Sequence, residues 1–109
     1  MDLRLTERTV ADLTIRGRID ALAAIDLRRE LRDLREAGRV DVTADLSEVT
    51  ELDVAGLAAL VRAMRDLRAA GGDLTVVLPR ADGARRMLRL SRFDRILTTT
   101  PARPVPGAA

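Results

Sequence analysis

The chain has 109 residues, a length that fits one domain with a single hydrophobic core. It contains no cysteine, histidine, tryptophan, tyrosine or lysine, and Phe93 is its only aromatic residue. That composition excludes a disulfide framework, a thiolate metal site and the usual nucleophile–base pairs, and it leaves the core to Leu, Val, Ile, Ala and Met.

All 19 basic residues are arginine, against 17 acidic ones, for a formal net charge of +2. The two signs interleave, as in Arg28-Arg29-Glu30-Leu31-Arg32-Asp33. This is the pattern of a solvated, ion-paired helix face and not of a nucleic-acid patch. One phenylalanine supplies no stacking platform for single strands, so no nucleic-acid partner is expected. The opening Met1-Asp2-Leu3-Arg4-Leu5-Thr6-Glu7 is too charged for a signal peptide. No apolar run approaches the roughly 20 residues of a membrane span. A cytoplasmic protein without direct membrane insertion is the expectation.

In chain order, Leu3 and Leu5 alternate with Asp2, Arg4 and Thr6, which predicts an edge strand. A turn near Arg8-Thr9-Val10 joins it to a second strand over about 12–18, where Leu13 and Ile15 alternate with Thr14 and Arg16. Asp20 is placed to cap the next element. Ala24, Leu27, Leu31 and Leu34 recur at helical spacing, and Gly38 is a stop. The pairs Asp26/Arg29, Arg29/Asp33 and Arg32/Glu36 support that helix's exposed face. Val40, Val42 and Ala44 mark a central third strand. A second helix is predicted over 55–70 on the stripe Leu57, Leu60, Val61, Met64 and Leu67, ending at Gly71-Gly72. Leu74, Val76, Val77 and Leu78 form a fourth strand that Pro79 stops. A third helix spans 81–90, with Phe93, Ile96 and Leu97 sealing a last strand or turn. The order predicts an α/β domain over residues 1–98: a mixed sheet with a parallel centre, packed by three main helices. Residues 99–109, with three prolines and no periodicity, are expected to form a disordered tail.

The segment from Val42 to Leu57 carries the most information. It reads as a buried strand ending in Asp45-Leu46-Ser47, then a turn, then Asp53-Val54-Ala55-Gly56-Leu57 opening a helix. A glycine at a helix start sets a small loop beside unpaired N–H groups, a place that can hold an anion. Asp53 has a structural role open to it, as an N-cap accepting from the Ala55 and Gly56 N–H groups, and a role at a partner surface is compatible with it. Asp45 either holds the turn together or pairs with Asp53. Two carboxylates without a third ligand make a poor metal site. Ser47 and Ser91 have no partner to activate them. No phosphate-binding glycine loop is present. No catalysis, metal or cofactor is expected.

Further motifs recur in order: Gly17-Arg18-Ile19-Asp20, Ala69-Ala70-Gly71-Gly72, Arg85-Arg86-Met87-Leu88 and Phe93-Asp94-Arg95-Ile96. With Asp45-Leu46-Ser47 and the Asp53, Gly56, Leu57 set, their joint spacing resembles STAS domains over residues 3–98, and among them the bacterial anti-sigma factor antagonists. The resemblance implies a regulator that binds a serine-kinase-type anti-sigma factor and releases a sigma factor. It also implies a partner surface on Asp20, Asp45, Ser47, Asp53, Val54, Ala55, Gly56 and Leu57. In that family the residue before the glycine carries a phosphorylated hydroxyl. Ala55 stands there in this chain, so the phosphate switch does not carry over. Arg92 also departs, standing where many members have glycine. The same fold serves an alternative, the soluble STAS subunit of a membrane lipid ABC transporter docking on its ATPase. An enzyme reading would need Asp45 and Asp53 to converge in one deep pocket.

Overall fold

A computed structural model describes residues 1–104. Strand β1 (Asp2–Glu7) turns back into β2 (Val10–Ile19), followed by α1 (Ala21–Glu36), β3 (Asp41–Leu52), α2 (Val54–Ala69), β4 (Asp73–Val77), α3 (Asp82–Leu90), the one-turn α4 (Phe93–Ile96) and β5 (Thr98–Thr100). The strands lie in sequence order, β1-β2-β3-β4-β5, with β1 antiparallel and the other pairings parallel. Successive parallel strands stepping in one direction through right-handed crossovers place their helices on the same face of the sheet. One contiguous core results, built from Leu13, Ile15, Val42, Ala44, Leu46, Leu74 and Val76 of the strands against Leu27, Leu31, Leu60, Met64, Leu67 and Leu88 of the helices. The other sheet face is polar, with Asp12, Thr14, Thr43, Asp45 and Thr75 only half-buried.

Helices α1 and α2 end alike. Gly38 and Gly71 adopt φ 83° and 91°. The following residues, Arg39 and Gly72, donate N–H back to the Leu34 and Leu67 carbonyls at 2.9 Å. These six-residue closures satisfy carbonyls that the helix leaves open.

The expected turn after Ser47 does not occur. β3 continues to Leu52, and its buried residues are Val42, Ala44, Leu46, Val49 and Leu52. The spacing lengthens from two to three because β3 carries an extra residue against β2 at two points, between Thr14 and Arg16 and again between Gly17 and Arg18. Each bulge keeps the next apolar residue pointing inward at the cost of the alternation by which a strand is recognised.

The chain's end also departs from expectation. Residues 93–96 form a helix, not a strand, and Ile96 is exposed while Leu97 is buried. The strand lies at Thr98–Thr100, so a tail starting at residue 99 starts too early. Residues 101–104 follow without regular structure, and residues 105–109 of the expected tail lie outside the described residues. The three expected ion pairs of α1 do not form either. Among the described residues that helix has only the Arg32–Asp33 contact at 4.0 Å. No described helix is long and apolar enough to cross a membrane.

Candidate functional site

β2 and β3 are adjacent and parallel, and each runs directly into a helix at its C-terminal end. Asp20 follows β2 and caps α1, its Oδ1 accepting from the Ala23 N–H at 2.9 Å. Asp53 follows β3 and caps α2, accepting from the Gly56 N–H at 3.2 Å. The Asp53 N–H donates to the Ile19 carbonyl at 3.1 Å, which locks the two strand ends together. Two helix N-termini thus stand side by side, each already neutralised by a carboxylate of its own. The small hollow between them, about 140 Å³, is lined by Asp20, Asp53, Ile19, Leu52, Met87 and the exposed Arg18–Glu51 ion pair at 2.9 Å.

Gly56 answers a packing need in place of an anion. A Cβ at that position would stand 2.7 Å from both Ile19 Cγ2 and Leu52 Cδ1. The space it spares faces the core, and the carboxylate of Asp53 already occupies the Gly56 N–H. Leu57 is likewise buried. Gly56 and Leu57 therefore support the surface from beneath and do not present it. The Ala55 N–H is not among the capping donors to Asp53.

The expected surface divides further. Asp45 and Ser47 lie on the helix-free face of the sheet, where the Ser47 N–H donates to Asp45 Oδ1 at 2.9 Å. They line a broad depression of about 660 Å³ together with Thr14, Thr43 and Arg80. Asp45 and Asp53 thus open into different depressions, and the acidic pair does not assemble. Asp20, Asp53, Val54 and Ala55 do come together.

Sequence reasoning missed their apolar neighbours. Leu22 and Ile25 in the first turns of α1 are 76% and 52% exposed, and Val54 is 71% exposed. Ile25, Ala21, Ala55 and Ala58 share a shallow hollow of about 230 Å³ between the two helices. The signal was present: Leu22 and Ile25 fall off the Ala24, Leu27, Leu31, Leu34 stripe, so the core has no use for them. An apolar patch beside two half-buried carboxylates suits contact with another protein. Among the described residues no group of three or more acidic side chains is placed to hold a metal ion.

Comparison with known proteins finds the same fold. The candidate anti-sigma factor antagonist TM1081 of Thermotoga maritima is 20% identical, with a TM-score of 0.83 over 94% of this chain and 86% of its own. An anti-sigma factor antagonist from Mycobacterium paratuberculosis is 24% identical, with a TM-score of 0.79 over 92% and 83%. The unphosphorylated anti-sigma factor antagonist SpoIIAA is 16% identical, with a TM-score of 0.79 over 94% and 87%. SpoIIAA of Bacillus, a cell fate determinant, has also been solved in a phosphorylated form. These likenesses establish the fold, and the STAS domain family profile matches residues 2–104. The chain belongs to the STAS domain family.

Proposed function

We propose that this chain is a non-catalytic regulator of the anti-sigma factor antagonist kind, acting in the cytoplasm. Its partner is an anti-sigma factor of the serine-kinase type, whose capture frees a sigma factor for transcription. The observation that carries the reading is the surface at the N-terminal ends of α1 and α2. There Asp20 and Asp53 line one hollow, Ala55 and Ile25 share another, and Leu22 and Val54 in the first turns of the two helices are exposed. Exposed apolar side chains with charged groups nearby supply the buried centre and polar rim of a protein–protein contact.

On this reading position 55 corresponds to the family's phosphate acceptor. Ala55 has no hydroxyl, so the domain has no phosphate switch at this position. Binding here is constitutive, and control lies with the partner's availability.

The test is to recover the partner from the source cell by affinity capture and to titrate it by calorimetry against the parent and Ala55→Glu. Ala55 is only half-buried, so the variant folds. Its new charge enters the contact, and affinity falls at least tenfold, about 1.4 kcal/mol. Undiminished affinity would move the interface elsewhere. Capture of a membrane ATPase in place of a soluble kinase-like protein would replace the reading with that of a lipid-transporter subunit.

A further inference from the structure

We propose that the groove between α1 and α2 is a docking site for an acidic segment of a partner protein. This goes beyond the antagonist reading and does not depend on it. Arg28, Arg32 and Arg35 recur on α1 at i, i+4 and i+7, so they stand on one face of that helix. Arg62 faces them from α2, and the four rim a groove of about 140 Å³. Its floor is apolar, formed by Leu31, Ala59, Ala63 and Leu67. Among the described residues Arg28, Arg35 and Arg62 form no ion pair. Asp66 is the one carboxylate in the lining. The carboxylates of α1 itself, Asp26, Glu30, Asp33 and Glu36, stand outside it. The charge pattern that reads in sequence as a self-paired helix face is instead split: Arg28, Arg32 and Arg35 gather over the groove, and of these only Arg32 meets a carboxylate, Asp33 at 4.0 Å.

The dimensions select the occupant. Arg28 and Arg35 are seven residues apart, about 10 Å along the helix axis. One phosphate or carboxylate cannot meet both, whereas successive carboxylates of a peptide can. Guanidinium groups offer forked donors that match carboxylate oxygens two by two. Toward the N-terminal ends the groove joins the hollow lined by Ile25, Ala55 and Ala58, through the shared Arg28, Ala59 and Arg62. One end is apolar and the other basic. The chemistry fits an amphipathic segment with an apolar anchor and three or four carboxylates. A nucleic acid would gain phosphate contacts here but no stacking, because Phe93 lies outside the lining.

The experiment uses the full chain and a fluorescein-labelled amphipathic peptide, glutamates flanking a leucine stripe at helical spacing, read by fluorescence anisotropy in low salt. The expected result is saturable binding that weakens as salt rises. It also weakens at least tenfold in the double variant Arg28→Glu, Arg62→Glu. The matched reversal Arg86→Glu, Arg89→Glu, on the exposed face of α3, alters net charge equally and leaves binding within twofold of the parent. Circular dichroism melts verify that both double variants fold. Equal losses in the two variants would reduce the effect to net charge and overturn the proposal. So would absent or unsaturable binding, or equal binding of a peptide of the same composition in scrambled order. Preference for single-stranded RNA or phosphatidylserine vesicles over the peptide would assign the groove to another class of partner and overturn it as well.

Discussion

Arg92 links α3 to α4 with φ 60° and ψ 17°, the left-handed region, and among the described residues every other positive φ belongs to glycine. A Cβ in that region crowds the following carbonyl, at a cost of about 1–2 kcal/mol. Arg92→Gly relieves the crowding and returns part of the gain as extra freedom of the unfolded chain. The variant is expected to be more stable by about 0.5–1 kcal/mol in urea melts; a loss of stability would show that the arginine side chain has a compensating contact. Gly56 poses the opposite case, because its φ is ordinary and its constraint is space. Ala at position 56 would press on Ile19 and Leu52, both in the core. Overpacking of this kind costs about 1–3 kcal/mol, and Gly56→Ala should lose that much on the same assay. The sequence singled out both residues but could not tell strain from crowding. One is a backbone angle and the other a distance to residues 4 and 37 positions away, and neither is a property of local pattern.

At the scale of elements, helices were the legible part. Ala24, Leu27, Leu31 and Leu34 predict α1, and Asp20 and Asp53 cap where capping residues are expected. Strand β3 was legible only to Ser47, because two bulges break its alternation beyond that point, and β5 is three threonines with no apolar pattern at all. Beside its pairing to β4, a polar cluster fastens the start of β5. The Thr98 hydroxyl donates to Asp73 Oδ2 at 2.6 Å, and Arg68 from the end of α2 reaches Asp73 Oδ1 at 2.8 Å and the Ile96 carbonyl at 3.1 Å. Burial works to raise the Asp73 carboxyl. The hydrogen bonds from Thr98, Arg68 and the Leu74 N–H, with the Arg68 charge, outweigh it and hold the group below its ordinary value of 3.8. A carboxylate depressed in the folded state lends stability that is fully present above the unfolded value. That contribution drains away as pH falls through the lower, folded one. Asp73→Asn removes the titrating group. Urea melts between about pH 3 and pH 7 should show a shallower acid-side loss for the variant than for the parent. Identical slopes would mean that the cluster is broken in solution.

For the whole molecule, the radius of gyration of 13.1 Å matches the roughly 13 Å expected of one compact domain of this length, so strand position and not domain boundaries should govern local stability. The sheet order was not readable from the strands themselves. The crossover rule sets only the hand of each connection, and the observed order leaves all the helices on one face and a polar face opposite. That division also explains why the candidate site was only half legible. Asp45 and Asp53 are eight positions apart on one continuous strand and its exit, yet two bulges and the sheet itself separate them. The same order dictates a gradient of protection. β3 is paired on both sides, to β2 and β4, and Val42, Ala44 and Leu46 are buried beneath the helices. β1 is paired on one side only and leaves Leu3 and Leu5 about half exposed, at 42% and 50%. β5 adds three residues to the other edge. Amides in the centre of β3 can exchange only when the sheet opens as a whole, whereas an edge strand frays with its neighbours intact. In native-state hydrogen exchange the amides of residues 42–46 should show opening free energies equal to the global value from urea melts. Those of β1 should fall short of it by more than about 2 kcal/mol. Uniform protection from β1 through β5 would mean that the edges are fixed as firmly as the centre, either by cooperativity across the sheet or by a partner strand added in solution.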